Sequence, residues 1–303
     1  MKKLLGLLII FFTLTGCAAA VDNTPSDHSM MLYRVTNSAG NEVYVFGTMH
    51  IGHHDLYPMR AEIEEALERS DVLVVEVDIR NIDMDRFAEA QRTFPVRDLG
   101  LSDEKIEAVD TALRSINPQF NFEALQGLNA FNLFLLQETE AANRTSFTAN
   151  HGMDWYLLNR AEALGMDIIE IEGLERQLEM SLYLSEFWGV ELLEVLVENV
   201  SAFTIEELAT GLYELCQIVL DGDSAALQLI ATEMATAFPS ADFGLAYYHA
   251  VLVDRDAEMV EKIKTYFESG QLHFVAVGAL HLHGNSGILE LLREAGYTVE
   301  KVD

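Results

Sequence analysis

The stretch EVYVFGTMHIGHHDLYP, residues 42–58, runs apolar up to Gly47 and then presents His50, His53 and His54. Nine histidines serve the whole chain, so a third of them cluster here. Gly-x-x-His recurs at Gly270–His273 and Gly278–His281, where composition alone gives roughly 0.6 occurrences per chain. The copy at Gly270 opens an apolar run, whereas Gly47 and Gly278 each close one. Two more apolar runs close on carboxylates, VLVVEVD at Glu76 and DIIEIEG at Glu170 or Glu172. If these runs are parallel strands, their carboxyl ends share one sheet edge, the place where ligand sites form in α/β folds. His50, Glu76, Glu170 or Glu172, and His281 then meet there as a ligand set for zinc, manganese or iron, or as a proton-transfer set. Spacing alone is satisfied equally by plain turns carrying surface histidines. A glycine at such an exit permits a sharp turn, through positive φ, or a close approach of backbone to ligand.

The elements around these residues support that placement. MLYRVTN and EVYVFG flank SAGN, a hairpin signal. PMRAEIEEALERS has Ile63, Ala66 and Leu67 at helical spacing and leads into VLVVEVD, a strand–helix–strand unit. Residues 100–165 read as helical, and MDIIEIEG at 166–173 as a third buried strand. A second helical stretch runs over 174–269, with breaks expected at Gly211, Gly222 and Pro239. LHFVAVGALH is a fourth buried strand, SGILELLREAG a helix and YTVEKV a last strand. The expected fold class is α/β, a mostly parallel central sheet with flanking helices and a large helical insertion.

Residues 1–16 read as a lipoprotein signal peptide: Lys2 and Lys3, a short apolar run, then LTGC ending at Cys17. The stretch resembles a lipobox, which implies acylation of Cys17 and an exported, membrane-anchored protein, at the outer membrane facing the periplasm if the bacterium has two membranes. Residues 17–30, polar and small and including His28, suit a tether; residues 31–303 form a single domain. Beyond Cys17 only Cys216 remains, which excludes a disulfide within the domain and reads as a small buried hydrophobe. A net charge of −30 repels phosphates and excludes nucleic-acid binding.

Several blocks resemble the TraB/GumN family, which includes the Tiki-type proteases and PrgY. They are VFGTMH after the hairpin, VLVVEVD, GMDWYLLNRAEALG leading to IIEIEGLERQL, and the closing VAVGALHLHGNSGILELLREAGYTV. The resemblance runs from about residue 31 to the C-terminus. It implies an α/β fold shared with erythromycin-esterase-like and ChaN-like proteins, and a metal-dependent hydrolytic centre built on Gly47, His50, Glu76, Gly278 and His281. Glu172 and Arg255 are further additions by resemblance, although Asp256 stands where the family has asparagine and IEG replaces its usual strand ending.

On that footing His50 and His281 would hold a divalent metal (manganese, cobalt or zinc), and a bound water would become a nucleophile near neutral pH. Glu76 would be a third ligand or the base, and Arg255 would stabilise an oxyanion. The partner would be a peptide or protein substrate. No His-Glu-x-x-His is present, so the common zinc-protease arrangement is excluded. Other readings are a haem- or iron-binding ChaN-like lipoprotein, a metal-free esterase-like site, or a non-catalytic sequestering protein. His53, His54 and His283 read as solvated loop residues or supports of the ligands. Asp154 reads as a support of the site or, well enough, as an acid in a first helical turn, and Trp155, Tyr156, Leu157 and Leu158 read as core.

Overall fold

Strands with both faces apolar need cover on both sides, and those in the middle of this sheet receive it. A computed structural model describes residues 28–302; the leader, Cys17 and most of the expected tether lie outside the described residues. Met30, the last residue of that tether, is already fully buried, with its N–H donating to Leu220 O at 2.9 Å.

In chain order the strands and helices are β1 (Met31–Thr36), β2 (Glu42–Thr48), α1 (Ala61–Arg69), β3 (Val72–Val75), α2 (Met84–Arg92), α3 (Asp103–Ile116), α4 (Phe122–Leu125), α5 (Ala130–Ala142) and α6 (Met153–Leu164). There follow β4 (Asp167–Glu170), α7 (Leu174–Ala202), α8 (Ile205–Leu220), α9 (Ser224–Glu233), α10 (Ala241–Tyr248), α11 (Asp254–Tyr266), β5 (His273–Gly278), α12 (Ile288–Glu294) and β6 (Thr298–Lys301). The sheet order is β4-β3-β5-β2-β1-β6. β4, β3, β5 and β2 are mutually parallel, and β1 pairs antiparallel with both β2 and β6. The fold is therefore the expected α/β class with a mostly parallel sheet.

The β1–β2 turn is closed as SAGN suggests, with Gly40 at φ 86° and its N–H on Asn37 O at 3.0 Å. β5 enters the sheet between β3 and β2, pairing Val75 with Ala276 and Thr48 with Gly278. This register brings the Glu76, His281 and His50 strand ends side by side, with β5 in the centre.

Two expectations change. MDIIEIEG is an edge strand, not a buried one: β4 has a single neighbour, and Asp167, Ile169 and Glu170 are exposed. Its apolar residues are only partly covered, with Ile168 half-buried and Ile169 exposed. Gly211 does not break a helix but lies buried inside α8, whose start is instead fixed by a capping box between Thr204 and Glu207. The helical insertion comes in two pieces, one between β3 and α6 and one between β4 and β5, and they pack together through α5 against α7 and α8 and α3 against α7. No helix among the described residues is long and apolar enough to cross a membrane.

Candidate active site at the carboxyl edge of the sheet

Glu76 follows β3 directly, so strand geometry delivers it to the sheet edge beside β5. Its side chain is 6% exposed, and Oε1 accepts from Gly278 N at 2.6 Å. Oε2 accepts from Arg255 Nη2 at 2.9 Å and from Gln177 Nε2 at 3.1 Å. Glu172 lies one strand away, where the chain leaves β4, and its N–H donates to Glu76 O at 3.2 Å. Its carboxylate takes Arg255 Nε at 2.7 Å and Nη2 at 2.6 Å. One buried guanidinium thus neutralises two buried carboxylates through a two-point pair with Glu172 and a single bond to Glu76. Burial would lower the Arg255 pKa, but Glu172 and then Glu76 hold it above its usual value.

The helix before Arg255 explains its aim. α10 runs into α11 through a π-helical turn, His249–Val253, and Val251 O in that turn accepts from Arg255 Nη1 at 3.1 Å. A π turn widens the helix by one residue and re-aims the side chains beyond it, a device frequent at functional sites. Here it lets both Arg255 and Asp256 point inward, 5% and 1% exposed.

Asp256 meets His281. Its Oδ1 lies 2.5 Å from His281 Nδ1, while Oδ2 is buried and has no hydrogen-bond partner among the described residues. Burial pushes the Asp256 carboxyl up to about 6, against the lowering pull of His281 and Arg255. With Nδ1 so occupied, His281 turns Nε2 toward Glu76, 4.0 Å from Oε1. His50 repeats the arrangement. Its Nδ1 lies 2.9 Å from Asp154 Oδ2 in the first turn of α6, and Thr48 Oγ1 donates to Asp154 Oδ1 at 3.3 Å. Burial would lower the His50 pKa, but the Asp154 carboxylate, helped by Glu76, raises it to about 9. Gly152 lets α6 approach, since a Cβ there would stand 2.3 Å from His50 O.

Gly47 and Gly278 have ordinary negative φ, so positive φ is not their reason. A Cβ at Gly47 would lie 3.0 Å from Leu282 Cδ1 and 3.2 Å from Ala279 Cα; one at Gly278 would lie 3.3 Å from Glu76 Oε1. Close approach is what each glycine provides.

The structure brings together Glu76, Glu172, Arg255 and His281, with His50 next along the edge. Sequence reasoning passed over Gln177, whose signal was its place in the first turn of the helix entered from Glu172. It also undervalued Asp154 and Asp256. His283 is neither solvated nor a support of the ligands: it is 6% exposed, its Nε2 faces Met31 Sδ at 3.1 Å, and burial pushes its pKa down to about 4. Glu170 turns to the surface and accepts from Asp78 N at 2.7 Å. His273 lies at the opposite sheet edge, stacked on Tyr266. Leu157 and Leu158 are fully buried. Cys216 is buried too, with its thiol pushed up to about 12 by that burial.

Whether these groups suit a divalent metal turns on the donors. Two imidazoles with Nδ1 tied to carboxylates have the disposition of histidine ligands, which donate one ring nitrogen outward and direct the other to the metal. The 4.0 Å between His281 Nε2 and Glu76 Oε1 exceeds by roughly half an ångström the separation of two ligand atoms on a tetrahedral ion with bonds of about 2.1 Å. The kinds of donor, and the spacing of His281 and Glu76, therefore fit such an ion. His50 stands farther out, because among the described residues only His53, His54 and Asp55 gather three ligand atoms within 4.8 Å.

Comparison with known proteins agrees with the blocks along the chain. The sequence model of the TraB/PrgY/gumN family matches residues 31–301. The protein described as uncharacterized protein YbaP of Escherichia coli (strain K12) is 24% identical over 259 residues, spanning 86% of this chain and 90% of its own length. Its counterpart in Shigella flexneri matches to the same extent. No solved structure matches significantly. The match over nearly all of the described residues makes this chain a member of the TraB/PrgY/gumN family.

Proposed function

We propose that the protein is a metal-dependent hydrolase, with peptides or proteins as substrates, anchored to a membrane through acylated Cys17. The observation that carries the reading is the pair of aspartate-backed imidazoles, His50 and His281, at the ends of neighbouring parallel strands beside buried Glu76. His50, His281 and Glu76 Oε1 would hold a divalent ion such as manganese, cobalt or zinc. When bound, such an ion supplies a water of lowered pKa and polarises the substrate carbonyl.

The chain's own groups set the rest. Asp154 and Asp256 fix the ring orientation and tautomer of the two histidines. Arg255 has Nε, Nη1 and Nη2 committed to Glu172, Val251 O and Glu76, so it holds Glu76 in place more readily than it reaches an oxyanion. Glu76 Oε1, shared with Gly278 N, lies 4.0 Å from His281 Nε2 and would serve as the third ligand or as the base that takes the proton.

One observation favours a second reading. Each histidine–aspartate pair is also a general-base pair, which would run proton transfer without a metal. Peptide libraries and ester surrogates, screened with added manganese, cobalt or zinc and then with excess chelator, separate the two. Turnover that vanishes with chelator and returns with one ion supports the metal reading. Turnover indifferent to chelator assigns the same residues to metal-free chemistry. Membrane-fraction assays of wild type and Cys17→Ala test the anchor: an unmodified terminus and wild-type protein free in solution would contradict it.

A further inference from the structure

We infer that the loop after His50 carries a second site for a divalent transition ion of the zinc, copper or nickel class, formed by His53, His54 and Asp55 with His151 in support. One ligand atom from each of the first three lies within 4.8 Å of the others, the tightest such gathering among the described residues. Asp55 spans both rings, with Oδ2 at 3.2 Å from His53 Nδ1 and Oδ1 at 2.8 Å from His54 Nε2. The two rings stand 4.2 Å apart between centroids. Tetrahedral ligand atoms lie about 3.4 Å apart, so small side-chain rotations close this set. Two imidazoles and one carboxylate favour zinc, copper or nickel over magnesium or calcium, which require mostly oxygen.

The second observation is the backbone that holds the site. Gly52 and Thr148 exchange both backbone hydrogen bonds, at 2.9 and 2.8 Å, and Tyr57 donates its hydroxyl to His151 O at 2.6 Å. A Cβ on Gly52 would overlap His151 O at 1.8 Å, so the two segments touch only because residue 52 is glycine. The contact carries the His151 ring to 6.1 Å from that of His54, with Thr148 Oγ1 on its Nδ1 at 2.8 Å and Nε2 left to turn toward an ion. An ion held there ties the loop that follows His50 to the turn that precedes Asp154, the two segments that assemble the His50 pair.

The inference stands apart from the hydrolase reading, because it uses none of its ligands. The test is zinc titration against a chromophoric competitor on the full untagged chain, on His53→Ala/His54→Ala, and on His50→Ala/His281→Ala. Half-exposed His53 and exposed His54 lie outside the core, so far-UV circular dichroism should be unchanged in the first variant. Loss of both histidines should remove one ion or weaken it at least about 100-fold, beyond what loss of a merely supporting group costs, while the His50/His281 variant keeps that ion. Asp55→Asn should weaken the same ion by a smaller factor. Wild-type stoichiometry and affinity in the His53/His54 variant would overturn the inference, as would zinc affinity at this site no tighter than millimolar. A single ion lost only from the His53/His54 variant would support the inference while removing the metal from the hydrolase reading.

Discussion

The exits of β2 and β5 are spelled alike and built differently. At β5, His281 is 7% exposed and its aspartate 1%, and Glu76 binds the backbone of Gly278 itself. At β2, His50 keeps 29% of its side chain exposed, and its aspartate comes from a different helix, α6. Each is a Gly-x-x-His whose ring is backed by an aspartate, yet one is sealed into a charged core and the other keeps part of its ring exposed. The difference teaches that the motif fixes only a glycine contact and a ring position. The neighbouring elements then decide whether that ring is an anchor or a movable partner.

The largest expected effect attacks the sealed side. Arg255→Met leaves Glu76 and Glu172 buried without their cation, and breaking a buried pair in this way costs about 3–5 kcal/mol. Thermal denaturation should show a marked loss. A melting point within a degree or two of wild type would mean that water reaches both carboxylates. Glu76→Gln is less innocent than its shape suggests. Its amide must set an NH2 against either Gly278 N–H or the Arg255 guanidinium, so turnover per folded molecule should be read together with the melting point. A fall in turnover of about 10²–10⁴ beyond any loss of folded protein is expected for a proton acceptor.

Next come the two aspartates. Replacing a group that orients a histidine ligand typically costs 10- to 100-fold in metal affinity. Asp256→Asn should fall near the upper figure and Asp154→Asn near the lower, because the first works in a sealed site. Equal losses in a competition titration would erase the contrast between the two exits.

The legibility of the site in the sequence depends on where each signal lives. His50, Glu76 and His281 were visible because an apolar run ending in a polar residue records a strand exit, and strand exits in a parallel sheet share an edge. The aspartates were not, because Asp154 and Asp256 each sit in a first helical turn, where the helix dipole alone accounts for an acid. Only packing reveals that they face histidines more than 20 residues away. The edge position of β4 was hidden for a related reason: Ile168, Ile169 and Ile171 look the same in a central strand as in an edge strand. His283 shows the reverse error, a histidine between Leu282 and Gly284, close to the proposed ligand His281 in sequence, that folding turns into the core.

Proton competition sharpens the comparison further. The His50 pKa is raised to about 9, so its proton is held through neutral pH and must leave before the ring can bind an ion. Metal affinity should therefore rise about tenfold per pH unit until pH approaches 9, then level off. The sign for stability is opposite: this raised value contributes stability fully present below the unfolded pKa and lost as pH rises through about 9. In Asp154→Asn the plateau should move down toward the ordinary histidine range. The smallest effects belong to the glycines. Gly47→Ala meets Leu282 and the Ala279 backbone and should cost on the order of 1–3 kcal/mol. Gly278→Ala meets only side-chain atoms at 3.3 and 3.5 Å and should cost less, judged by melting temperature.

The central claim is that His50 and His281 share one ion. Zinc K-edge X-ray absorption on the full untagged chain carrying His53→Ala/His54→Ala addresses it directly, since the loop site is then removed. The account predicts one zinc per chain with two imidazoles and one or two oxygen donors, at bond lengths of about 2.0–2.2 Å. A shell with a single imidazole, an all-oxygen shell, or no bound zinc would contradict it.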